Sequence, residues 1–176
     1  MKERIIRQPM AVNVNPAIKI DYFDGEYAFL SNFYPAKVSF DGMDYPNNEA
    51  AFQAQKCPER RAEFVALGQQ PGKQKRLGRK VPLRPDWENV KDEVMRALCI
   101  CKFAQNPHLA QKLLATGNAE LVEGNYWNDY YWGVCNGTGQ NKLGKILMEV
   151  REELRNGTIN KPHIAKPGVF YFRTEE

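Results

Sequence analysis

Glu49, Gln53 and Lys56 are the side chains best placed to do chemistry, within the stretch Asn48-Glu-Ala-Ala-Phe-Gln-Ala-Gln-Lys-Cys57. Alanines at 50, 51 and 54 favour a helix there, Asn47 or Asn48 can cap it, and Pro58 stops it. The spacing i, i+4, i+7 puts the three polar groups on one helix face, with Phe52 beside them. Seven residues span about 10 Å of axis. A helical side chain leans toward the N-terminus, so the long Lys56 can reach back toward Gln53 and Glu49. An acid, an amide and an amine around one small polar group can move protons, hold a hydroxyl or attack an electrophilic carbon. The same spacing also fits a solvated face with a loose ion pair.

Two aromatic stretches could wall such a site. In Tyr126-Trp-Asn-Asp-Tyr-Tyr-Trp-Gly133, Trp127, Asp129 and Trp132 crowd together in a way that is costly to expose. A pocket wall explains this, with rings stacking on a base and Asp129 binding hydroxyls or water; a purely structural aromatic corner is the competing explanation. In the loop from Gly25 to Pro35, Asn32 offers a donor and an acceptor among Phe29, Phe33 and Tyr34. Between Arg60 and Arg84 stand eight Lys or Arg (60, 61, 73, 75, 76, 79, 80, 84) against one acid, Glu63. Such a block is often a solvated face. Arg76, Arg79 and Arg84 within it could also bind phosphates and lower the pKa of a nearby lysine.

The elements that must hold these groups follow from periodicity and punctuation. Ala17 to Phe23 alternates like a strand. Lys37–Phe40 and Met43–Tyr45, joined by Asp41-Gly42, read as a hairpin with a tight I′ turn, running directly into the 48–57 helix. Helices are expected over Glu59–Leu67, around Gly72–Lys80 as a short basic helix or loop, from Trp87, and from Asn106-Pro107 to Thr116-Gly117. The Trp87 helix is the longest, with Trp87, Val90, Val94, Leu98 and Cys101 as its apolar stripe. Ala119–Val122 reads as a short strand. Asn141 reads as the cap of an amphipathic helix that Gly157 closes. Residues 158–176, which include Val-Phe-Tyr-Phe, could add an edge strand.

Bulk properties narrow the class. With 176 residues and 43% hydrophobic content, the chain reads as one domain (residues 1–176) with a loose arm over 1–16, a core over about 17–157 and a tail. A net charge of +4 suits a phosphorylated ligand without demanding nucleic acid. Cys57, Cys99, Cys101 and Cys135 form no C-x-x-C, and the only histidines are His108 and His163, so neither a metal site nor a cofactor is expected. MKERIIRQPM lacks a signal peptide's apolar core, and no apolar run reaches the ~18 residues of a membrane span, so a cytoplasmic location with no membrane partner is expected. No dinucleotide fingerprint, Walker loop, nucleophile elbow or H-E-x-x-H is present.

FLSNFYP, NNEAAFQAQK, RPDWENVKDEVM, KFAQNPHLAQKLLATG, LVEGNYWNDYYWG and GQNKLGKILMEVREEL, in that order over residues 22 to about 155, resemble the YbiA-like (NADAR) family. The resemblance implies a compact, helix-rich α+β single domain with a small antiparallel sheet or hairpins. It implies N-glycosidase activity on a phosphorylated ribosyl or ADP-ribosyl substrate: riboflavin-pathway intermediates, or ADP-ribosylated guanine in nucleic acid. A module that binds ADP-ribose without turnover is the alternative. The family's functional positions fall on Glu49, Lys56, Trp87, Asp129 and Trp132. Two departures stand out: Ala50 where many relatives have His, and an additional Trp127. Glu49, Lys56 and Asp129 are thus the expected catalytic residues. Asn32, Phe33, Gln53, Arg76, Arg79, Trp87, Trp127, Trp132 and Gly133 are the expected substrate-binding residues. Either Lys56 attacks ribose C1 while Glu49 moves protons, or Glu49 activates water while Lys56 binds phosphate.

Overall fold

The computed structural model describes residues 18–174, so the expected arm over 1–16 and Ala17 lie outside it. Strand β1 (Lys19–Ile20) is followed by a 3₁₀ turn over Gly25–Leu30 that buries Phe29 and Leu30. Strands β2 (Pro35–Phe40) and β3 (Met43–Asn47) form the expected antiparallel hairpin. Asp41 and Gly42 take φ of 50° and 73°, the positive angles a I′ turn needs. Its register pairs Val38 with Tyr45, and both side chains point into the core.

Helix α1 (Asn48–Ala54) leaves the hairpin without a linker. The Ala50 N–H donates to Asn47 Oδ1 at 2.8 Å, so Asn47 is the cap. The helix ends before the expected Cys57. The N–H groups of Lys56 and Cys57 bond three residues back, to Gln53 and Ala54, and Cys57 turns to φ −146° ahead of Pro58. A residue before proline is pushed out of the helical region, which unwinds this last turn.

Helices α2 (Arg61–Ala66) and α3 (Pro71–Gly78) then pack against α1, and α4 (Trp87–Gln105) forms the centre of the molecule. Val94, Leu98, Ile100 and Phe103 of α4 are fully buried, and α4 touches β2, α1, α5 (Pro107–Ala115) and α6 (Lys142–Asn156). Short strands β4 (Glu120–Leu121), β5 (Gly124–Asn125) and β6 (Val134–Cys135) precede α6. The chain closes with a hairpin of β7 (His163–Lys166) and β8 (Val169–Tyr171).

The architecture is α+β, as expected, but its strands pair only two by two. β2–β3 and β7–β8 are antiparallel; β1–β4 and β5–β6 are parallel. The tail therefore forms its own ribbon instead of adding an edge strand. Its turn is bolted to the body: the Gly168 N–H donates to Asp41 Oδ2 at 2.8 Å, and Arg84 Nη1 donates to the Gly168 carbonyl at 2.9 Å. Two expected caps act differently. The Asn106 side chain donates to the carbonyls of Lys37 and Lys102, and Asn141 donates to the Leu121 carbonyl and accepts from the Glu123 N–H. Each ties its helix start to another element instead of satisfying the helix's own N–H groups. Among the described residues no helix is long and apolar enough to cross a membrane.

Lys102 is buried inside α4, and its Nζ donates to the carbonyls of Phe29 and Ser31 at 2.7 and 2.9 Å. It holds the end of the 3₁₀ turn from which Asn32 and Phe33 project. Lys102→Met leaves the Phe29 carbonyl without this donor, while the Ser31 carbonyl keeps the Tyr34 N–H at 3.2 Å, so one buried group is left unsatisfied at a cost of about 1–3 kcal/mol. A urea midpoint lowered to match a loss of about 1–3 kcal/mol is the expected result.

Candidate active site

All seven residues of α1 are buried, so the polar stripe on its face is not solvated. Glu49 is 6% exposed, and its Oε1 accepts from Gln53 Nε2 at 2.8 Å. Asn32 binds the start of α1 twice: its carbonyl accepts from the Glu49 N–H at 3.0 Å, and its Oδ1 accepts from Asn48 Nδ2 at 2.9 Å. Lys56, on the turn after α1, is half-buried. Its carbonyl accepts the Arg84 N–H at 2.8 Å, and its Nζ lies 5.8 Å from the centre of the Trp87 ring.

These groups line one cavity of about 560 Å³, a volume that suits a nucleotide-sized ligand. Its floor is a row of rings. Phe52 meets Trp87 at 5.2 Å and Trp132 edge-on at 5.4 Å, and Trp132 meets Tyr131 at 4.9 Å. Trp127 stands exposed at the rim, with Lys75 Nζ 5.7 Å from its ring centre. Asp129 Oδ1 accepts from the N–H groups of Tyr131 and Trp132 at 3.1 and 2.9 Å, which folds the aromatic loop back on itself. Asp129 thus braces the wall as well as facing the cavity.

The electrostatics follow from burial. Desolvation pushes the Glu49 carboxyl above its ordinary value, against the opposing pull of Gln53, Lys75 and Lys56. Desolvation also pushes the Lys56 amine down, although Glu49 opposes it; Arg79 and Lys75 add to the lowering. Both partners are therefore driven toward their neutral forms.

The cavity brings together Asn32, Phe33, Glu49, Gln53, Lys56, Arg79, Trp87, Trp127, Asp129 and Trp132, which the sequence had scattered over a hundred positions. Arg76 and Gly133 do not line it. Arg76 sits a third of a turn round α3 from the face that carries Lys75, and it points to solvent. Gly133 is a packing position: a Cβ there would fall 2.2 Å from the Glu123 carbonyl oxygen. Arg84 is also turned away, its guanidinium spent on Asp86 and the Gly168 carbonyl. Three charged lining residues were not among those expected from the sequence: Lys75, Lys91 and Glu123. Lys75 could have been found, since Lys75 and Arg79 are four apart and share one face of α3. Nothing local marks Glu123. Among the described residues no three His, Cys, Asp or Glu are grouped to hold a metal ion.

Two outcomes test this geometry. A Cβ on Gly78 would meet Gln53 Oε1 at 1.9 Å, so Gly78→Ala forces Gln53 off Glu49. Loss of a hydrogen bond to a buried carboxyl is expected to lower kcat/KM about tenfold or more and Tm by a few degrees, the better helix former at 78 offsetting only part of the cost. The second concerns pH. Burial and Asp129 push Glu123 from 4.5 up to about 8. The folded state thus holds a proton that the unfolded chain releases. The stability this adds is full below about 4.5 and is lost as pH rises through about 8. The Tm of wild type relative to Glu123→Gln is expected to fall across that window in calorimetry.

Comparison with known proteins places the chain. A family model described as the NADAR domain matches residues 22–155. The N-glycosidase YbiA of Escherichia coli K12 is 43% identical over 133 residues, covering 73% of this chain and 82% of that protein. Its NMR structure superposes with a TM-score of 0.71 at 38% identity, covering 88% of this chain and 94% of that one. A riboflavin biosynthesis protein of Vibrio vulnificus is 42% identical over 136 residues, which are 75% of this chain but 37% of that longer protein. The chain belongs to the NADAR domain family.

Proposed function

We propose that this chain is an N-glycosidase that hydrolyses the bond between ribose C1 and nitrogen in a phosphoribosyl or ADP-ribosyl substrate. The observation that carries it is that Lys56 and Glu49 line one aromatic cavity, with burial driving both toward neutrality. A neutral amine is a nucleophile, and a neutral carboxyl is a proton donor. The names of the relatives agree with the bond broken, and one of them points to riboflavin-pathway substrates. Lys75 and Arg79 at the cavity edge supply cations for the phosphate. The aromatic floor, with Trp127 at the rim, supplies faces for a base.

The reaction runs as follows. Lys56 Nζ attacks C1, the C1–N bond breaks, and its electron pair leaves with the departing nitrogen. The sugar ring then opens to an iminium on Lys56, as the proton lost by the attacking nitrogen passes through Glu49 to the ring oxygen. Water hydrolyses the iminium, releasing the sugar and restoring the lysine. Gln53 holds the Glu49 carboxyl in place.

Glu49→Gln is expected to lower kcat about 10²- to 10⁴-fold on a phosphoribosyl aminopyrimidine, with Lys56→Ala lower still. The wild-type rate should rise with pH through the lowered Lys56 pKa, since only the neutral amine attacks, and fall again as Glu49 gives up its proton. Borohydride added during turnover should leave a sugar adduct on Lys56, seen by peptide mass spectrometry and absent in Lys56→Arg. An active enzyme that gives no adduct assigns the water-activating role to Glu49 and phosphate binding to Lys56. Ligand binding with no base released at any pH identifies a binding module instead.

A further inference from the structure

We infer that Glu123 is a second catalytic carboxyl, the acid that gives its proton to the departing nitrogen, while Glu49 serves the lysine side of the sugar. This rests on the glycosidase reading above. The chemistry calls for such a group. When C1–N breaks, an amide-like or amine nitrogen leaves with an electron pair and departs poorly as an anion, so it needs a proton from the side opposite the attacking nucleophile.

Glu123 occupies that side. The row of rings along the floor begins at Lys56 over Trp87, passes through Phe52 to Trp132, and ends at Gly133, whose bare Cα lies against Glu123. A Cβ on Gly133 would sit 2.9 Å from Glu123 Oε2. Lys56 and Glu123 thus line one cavity at the two ends of this run of contacts. The backbone of Glu123 is held from both directions: its N–H donates to Asn141 Oδ1 at 3.0 Å, and its carbonyl accepts the Val134 N–H at 2.9 Å. Its carboxyl has no hydrogen-bond partner among the described residues, and Oε2 is enclosed. A half-buried carboxyl with one enclosed, unpartnered oxygen in a rigid mount calls for a partner, and a nitrogen of the substrate is a fitting one.

The surroundings suit the task. Desolvation first, then Asp129, then Glu49 hold the proton on Glu123 at neutral pH, against the pull of Lys75. That same Lys75 ammonium is in place to meet the carboxylate that forms on transfer. The step balances: Lys56 Nζ bonds to C1, the C1–N pair stays on nitrogen, and the Glu123 proton closes that nitrogen's valence. The Glu123 carboxylate then takes a proton from the water that attacks the lysine-bound C1, which restores the acid.

The test varies the leaving group on one sugar. A 5-phosphoribosyl aminopyrimidine needs the proton; a 5-phosphoribosyl pyridinium leaves as a neutral pyridine and does not. Glu123→Gln keeps shape and removes the proton. It is expected to lower kcat on the aminopyrimidine by about 100-fold or more while changing the pyridinium rate by less than about threefold. Retained pyridinium turnover also reports that the variant is folded. Equal losses on both substrates, or no loss on either, would overturn the assignment. If wild type hydrolyses neither, the glycosidase reading fails and this assignment fails with it.

Discussion

Helix α1 has no solvent-facing side, and the rest of the molecule is arranged to make that tolerable. It is packed by β2, β3, α2, α3 and α4, yet four of the positions from Asn47 to Gln53 carry polar side chains. A buried polar group without a partner costs free energy comparable to the stability of a small domain's weakest contacts, so each must be answered. Asn47 is answered by the Ala50 N–H and by Gln74, whereas Asn48 and Gln53 donate through their amide nitrogens to Asn32 and Glu49 and keep Oδ1 and Oε1 buried without a partner. Gln74 in turn binds the carbonyls of Phe64 and Gly68, which carries the same network into α2. The loop that carries Asn32 is held by Lys102 from the central helix. Position in the site and stability of the fold are thus set by the same amide contacts.

That enclosure also creates the chemistry. On an exposed face, Glu49 and Lys56 would form an ordinary ion pair of little consequence. Out of water, charge is costly for each, and the attraction between them does not compensate fully. The result is a pair tuned toward neutrality with no specialised motif. The aromatic floor matters here as much as the charges, because it keeps the local dielectric low.

Much of the fold was legible in sequence because it is built from local signals. Asp41-Gly42 marks the hairpin, Pro107 and Gly157 bound their helices, and the apolar stripe of α4 marks the centre. What was not legible is long-range. The strands at 17–23 and 119–122 were expected, but the parallel pairing of β1 with β4 joins residues a hundred apart, and nothing local in either names its partner. Asn106 and Asn141 look like helix caps by type and place, but tertiary partners claim their side chains. The site divides in the same way. Glu49, Gln53 and Lys56 share one short segment with a readable spacing. Glu123 is one acid among many until Gly133 and Asn141 are seen to hold it, and Arg84 reads as a phosphate ligand until its guanidinium is seen to be occupied.

The closing hairpin lies past residue 155, where the match to the shared domain stops, yet two hydrogen bonds link it to the backbone of Lys56. Gly168 is held by the Arg84 guanidinium, and the Arg84 N–H holds the carbonyl of Lys56. Arg84 therefore works as a strut between a peripheral ribbon and the turn that aims the lysine. Through this strut a change in the ribbon can move the turn that carries Lys56, and so how far its amine reaches, without altering any residue that lines the cavity.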